Sequence, residues 1–63
     1  MKSIMIVWIH DTRSDSDVLV NSEYVSSVER DQFDAAEFHV RMVNHDIYTV
    51  RDEATAAWLT MQA

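Results

Sequence analysis

The residues in this chain that could do chemistry are three histidines, a set of carboxylates and a handful of serines. His10, His39 and His45 are the only imidazoles, and no cysteine accompanies them. Zinc sites built on histidine pairs place them four apart on a helix, often as HExxH. No such pair occurs here. With His39 on a strand and His45 in the following turn, strand rise separates the two by about 20 Å. Solvent-facing strand histidines are the expected outcome, and no metal site is expected.

Asp11, Asp15 and Asp17 crowd one polar segment, as calcium ligands do. An EF-hand loop needs oxygen ligands at alternate positions, a glycine at the sixth and a closing glutamate. Counting from Asp15 puts Val20 at the glycine position, and counting from Asp11 puts Arg13 at a ligand position. A solvated acidic loop fits better. Serines 14, 16, 22, 26 and 27 are candidate nucleophiles, but a serine needs a histidine base that is itself oriented by a third group. The GxSxG elbow needs glycine, and the chain has none. That absence also removes the P-loop and the dinucleotide-binding fingerprint. No catalytic residue and no cofactor is expected, and the protein is read as non-enzymatic.

The chemistry that remains is charge. Eleven acidic residues against five basic ones give a formal net charge of −6. Nucleic acid and anionic membranes are bound by Lys/Arg stripes, so neither is an expected direct partner. Between residues 10 and 37 lie eight carboxylates, Asp11, Asp15, Asp17, Glu23, Glu29, Asp31, Asp34 and Glu37, against two arginines. Gathered on one side they would present an array resembling duplex phosphates to a basic groove. These eight, with Tyr48 beside a hairpin turn as an amphipathic anchor, are the candidate partner-binding residues.

The elements that position them follow from periodicity. Residues 1–63 read as a single domain, 48% apolar and therefore too greasy for a disordered chain. Ile4–Ile9 is apolar on both alternating faces, as in a strand covered on both sides. The run is too short for a membrane span, and no small-residue cleavage site follows it. A soluble, unexported, cytoplasmic protein is expected. His10–Asp17 reads as a loop, Val18–Val20 as a short strand, Asn21–Glu23 as a turn and Tyr24–Glu29 as a loosely alternating strand. Arg30–Ala36 is a charged connection with room for one helical turn. Glu37–Val43 has a clean period of two, with Phe38, Val40 and Met42 on one face. Asn44–Asp46 turns it into Ile47–Val50. Asp52 stands at an N-cap position, Glu53 favours the positive helix end, and Ala54, Ala57, Trp58 and Met61 form a helical stripe.

The resulting expectation is an α+β fold, a four-stranded antiparallel β-meander followed by one C-terminal α-helix on one face, one strand fewer than the five extended segments read above. One helix cannot cover both sides of the first strand. Either Met5, Val7 and Ile9 or Ile4, Ile6 and Trp8 must be shielded by something else. Curling into a half-barrel is one answer, and a homodimer is the favoured one; exposure as a partner-binding patch is a third.

From Val18 onward the pattern resembles the small flagellar regulators of FlbD type. The likeness rests on Val18-Leu19-Val20-Asn21, Tyr24-Val25, Val28-Glu29, Phe38–Val43, Asn44, Tyr48-Thr49-Val50 and Asp52-Glu53. It covers about two thirds of the chain. The hairpin turn departs from it, with Asn44-His45 where that family favours Asn-Gly. The resemblance implies a β-meander with a helix, and a transcription-regulator partner contacted through the sheet. In size and charge the chain is also similar to phage-encoded inhibitors of the anti-restriction and anti-CRISPR kind. That likeness implies an inhibitor that occupies a basic, nucleic-acid-binding site on its partner. A homo-oligomeric assembly module is the alternative.

Overall fold

A computed structural model describes residues 5–62, and Ile4, the expected start of the first strand, lies outside them. The element order is β1 (Ile6–Asp11), β2 (Ser16–Asn21), a 3-10 turn (Ser22–Tyr24), β3 (Val25–Arg30), β4 (Phe38–Met42), β5 (Ile47–Val50) and α1 (Glu53–Gln62). The fold is α+β, with five antiparallel strands and one C-terminal helix. The expected single four-stranded meander is corrected to two sheets, β1-β2 and β3-β4-β5.

The largest departure concerns His10–Asp17. Only Thr12–Asp15 form a turn; His10 and Asp11 complete β1 and Ser16 and Asp17 open β2. The ladder runs Ile6↔Asn21, Trp8↔Leu19, Ile9↔Val18, His10↔Asp17 and Asp11↔Ser16. Polar side chains do not prevent strand pairing, since the ladder needs only backbone groups. Asp15 closes the turn with φ 54°, a left-handed geometry that Asp tolerates better than most residues. Asn21 ends β2 and caps the 3-10 turn, its Oδ1 accepting from Glu23 N at 2.9 Å.

The looseness of the third strand has a cause. Register slips between Val25 and Ser27, so Ser26 is the extra residue of a β-bulge. The β4–β5 hairpin forms where the period of two places it, with Val40↔Tyr48 paired across it. Phe38, Val40 and Met42 are buried while Arg41 is exposed. His45 takes φ 76° in the turn, the region where glycine is easiest.

In residues 31–37 no helical turn forms. The backbone is folded by side-chain acceptors instead: Asp31 Oδ2 takes the N–H groups of Phe33 and Asp34, each at 2.8 Å, and Asp34 Oδ1 takes that of Ala36 at 3.0 Å. These are Asx-type turns, which do the work of the missing Gly and Pro.

Asp52 caps α1 as expected. Its Oδ1 accepts from Ala54 N at 3.1 Å and its Oδ2 from the Thr55 hydroxyl at 2.6 Å. The buried stripe, however, is Ala56 and Leu59, with Trp58 half-buried against the core; Ala54, Ala57 and Met61 face solvent. Alanines stand on several sides of this helix, so its face is chosen by where Leu59 fits the sheet. Ile9, Val20, Val25, Phe38, Val40, Met42, Val50, Ala56 and Leu59 form one core spanning both sheets and the helix. Among the described residues no helix is long and apolar enough to cross a membrane.

Candidate partner-binding surface

The eight candidate carboxylates do not form one array. Asp11 is buried, and it is the joint between the two sheets. One of its oxygens accepts from Thr49 N at 2.8 Å; the other accepts from the Ser14 hydroxyl at 2.7 Å and from Ser14 N at 3.3 Å. Thr12 N completes the joint by donating to Thr49 O at 2.8 Å. Burial pushes the Asp11 carboxyl upward, but the Ser14 hydroxyl and the Thr49, Ser14 and Arg13 amides outweigh it and hold the group below its ordinary value. Asp11 is a structural acceptor and leaves the candidate contact set.

Asp15 and Asp17 are exposed and clasp His10. Asp17 Oδ1 lies 2.9 Å from Nδ1 and Asp15 Oδ1 lies 3.1 Å from Nε2. A neutral imidazole has one N–H, so both contacts are hydrogen bonds only when the ring is protonated. The Asp17 hydrogen bond raises the His10 pKa most; Asp15 adds to it, against a smaller opposing effect of desolvation.

Asp31, Asp34 and Glu37 come together, but with partners of their own, His39 and Arg51. Asp31 Oδ1 accepts from His39 Nε2 at 2.8 Å, and this bond, aided by the Phe33 and Asp34 amides, lowers its pKa. Asp34 lies 2.8 Å from Arg51 Nη1 and Glu37 lies 3.5 Å from it. Arg51 holds the Asp34 carboxyl below its usual range. Glu23 and Glu29 are exposed, with no ion pair among the described residues. Tyr48 is half-buried against the core.

One grouping has the order of a charge-relay system. Asp31 faces His39 Nε2, and His39 Nδ1 lies 3.3 Å from Thr49 Oγ1. Thr49 is 1% exposed, so its hydroxyl cannot meet a substrate. The set is a half-buried hydrogen-bond chain, closed at its inner end by Thr49, that ties β4, β5 and the 31–37 loop. Among the described residues no three His, Cys, Asp or Glu side chains are placed to hold a metal ion.

The surface that periodicity left undecided is now assigned. Val7 and Ile9 face the core, and Ile6 and Trp8 face away, 62% and 68% exposed. Trp8 stands opposite Leu19, which is 51% exposed, and His10 stands opposite Asp17 on the same face. The outer side of the β1–β2 hairpin is therefore apolar in its middle and acidic at its turn. Phe33 is another exposed ring, at the tip of the 31–37 loop, and its type alone gave no sign of it. It stands on a different segment from this patch, and single exposed apolar residues are ordinary on protein surfaces.

No known protein family, no characterised protein and no solved structure matches the chain.

Proposed function

We propose that this domain is a non-enzymatic regulator or inhibitor that binds a partner protein carrying a basic rim around an apolar depression. The observation that carries this reading is the outer face of the β1–β2 hairpin. Ile6, Trp8 and Leu19 form its apolar centre, and Asp15 and Asp17 lie at its turn. A large exposed indole among aliphatic neighbours is the composition of a binding hot spot. A net charge of −6 favours a basic partner by raising the encounter rate and rejecting acidic surfaces. Basic sites that normally hold nucleic acid are the natural class of target, as in phage anti-defence inhibitors.

The contact set in this proposal differs from a phosphate-like array. Asp11 is committed to Thr49, and Asp31, Asp34 and Glu37 are committed to His39 and Arg51. What remains for the partner is Trp8 with its apolar neighbours, Glu23 and Glu29, and the exposed pair Asp15 and Asp17, two carboxylates that share the one imidazole of His10 and so keep net negative charge at the turn. The test is affinity capture from lysate at low and high salt with the protein and two variants. Asp15→Lys with Asp17→Lys should weaken the salt-sensitive capture, and Trp8→Ala should remove it. Equal capture by all three proteins overturns the reading.

A homodimer is the second reading, favoured by the same exposed Trp8 face. Sedimentation separates the two: a dimer that dissociates in Trp8→Ala, with no partner captured, supports self-assembly.

A further inference from the structure

We infer that the free edge of β2 is a docking groove for an extended, basic segment of a partner protein, which adds to the sheet as a strand. The inference rests on the partner-binding reading and adds a mode and a chemistry of recognition to it. β2 pairs with β1 on one side only. Among the described residues no other backbone hydrogen bond reaches residues 16–21. Beside that edge runs a groove of about 420 Å³, within the range of about 300–1,000 Å³ usual for ligand clefts.

The lining shows that the groove follows the strand's edge. Successive strand residues point to opposite faces, so a depression over one face touches every second residue. This one touches Leu19, Val20 and Asn21 in succession. Val43 and Asn44 from the β4–β5 turn also line it, as do the rings of Tyr24 and Tyr48. Backbone groups free along one side, with apolar and phenolic surface beside them, are what an added strand uses: the ladder supplies affinity and alternate side chains fill the groove.

Charge selects the occupant. Glu23 adjoins Tyr24 in sequence, and Asp46 lies two residues past Asn44, its Oδ2 accepting from the Asn44 side-chain amide at 3.1 Å, so a carboxylate stands near each of these lining residues. Neither is paired with a cation among the described residues. Asp17 lies at the start of the same strand. A segment alternating Lys or Arg with Val or Ile meets these groups. A second copy of this chain would set like charges against each other, which disfavours an edge-to-edge homodimer.

The test is amide NMR of the intact protein titrated with three synthetic peptides. These are acetyl-Lys-Val-Lys-Ile-Arg-Val-amide, its all-glutamate counterpart at the charged positions, and a version with proline at the central isoleucine. The basic peptide should shift Leu19, Val20 and Val43 amides saturably and slow hydrogen exchange along β2. The acidic peptide should bind at least about tenfold more weakly, the size of two or three lost surface charge contacts, and the proline peptide should also bind more weakly because its central residue has no N–H for the ladder. Val43→Lys, at an exposed turn position, should weaken the basic peptide similarly, whereas Trp8→Ala should not. Shifts confined to Ile6 and Trp8 overturn the groove while leaving the hairpin-face proposal standing. Unsaturable shifts at all acidic residues, or concentration-dependent shifts of β2 without peptide, also overturn it.

Discussion

The Asp11 carboxylate accepts the backbone N–H of Thr49 at 2.8 Å across a sequence separation of 38 residues. Through this bond and the Thr12–Thr49 pair, the β1–β2 hairpin is fastened to β5 of the second sheet. Thr49 has every polar group engaged: N–H with Asp11, C=O with Thr12, and hydroxyl within 3.3 Å of His39. β5 is thus bonded along both edges, to β4 on one and at Thr49 to the β1–β2 hairpin on the other.

Asp11→Ala removes the acceptor and leaves a buried N–H without a partner, a cost of about 1–3 kcal/mol. For a domain of this size that is a fall in Tm of roughly 4–8 °C per kcal/mol. Urea unfolding followed by tryptophan fluorescence measures it. Asp15→Asn, at an exposed turn residue whose left-handed backbone asparagine also tolerates, should change stability far less.

Acid should unfold the protein through the same carboxylates. Asp11, Asp31, Asp34 and Asp52 all have folded pKa values below the ordinary 3.8. The stability they contribute is therefore present above 3.8 and is lost as pH falls through their folded values. A urea midpoint that is level from neutral pH to about 5 and drops below 4 is expected. In Asp11→Asn part of that drop should be missing.

His10 gives the opposite limb. Its folded pKa lies above 6.5, so the Asp15–His10–Asp17 clasp is complete below 6.5 and loosens as pH rises through the folded value. Proton NMR of the ring should report a midpoint above that of free histidine. Asp17→Asn should lower it most, because the Asp17 bond is the largest cause of the shift.

In the core, Leu59 is fully buried and anchors α1 to the sheet. Leu59→Ala should cost about 2–5 kcal/mol and leave a largely unfolded protein at 37 °C. Met61→Ala, on the same helix but exposed, should be close to neutral by calorimetry.

The β4–β5 hairpin and the Asp52 cap were legible because each rests on local rules: a period of two, a turn-forming Asn, an acceptor before a helix. The inward turn of Asp11 was legible in principle. Continuing the alternation Val7, Ile9 by two residues puts Asp11 on the core face, but a polar stretch from His10 to Asp17 reads as loop by composition. The helix face was not legible, since Ala54, Ala56 and Ala57 give no preferred side. Nor were the partners of the acidic loop. Asp34 meets Arg51 and Asp31 meets His39 only after the chain has folded back, so a charge run in sequence became a set of hydrogen-bonded pairs in space.

The central claim is that the outer face of the β1–β2 hairpin meets another protein. Its most direct measurement replaces Trp8, Leu19 or Ser26, one at a time, by a photo-crosslinking phenylalanine in the cells where the protein acts. The account predicts a light-dependent adduct with a second protein at Trp8 and at Leu19, and none at Ser26 on the β3 bulge. Adducts at Ser26 with none at Trp8 would contradict it.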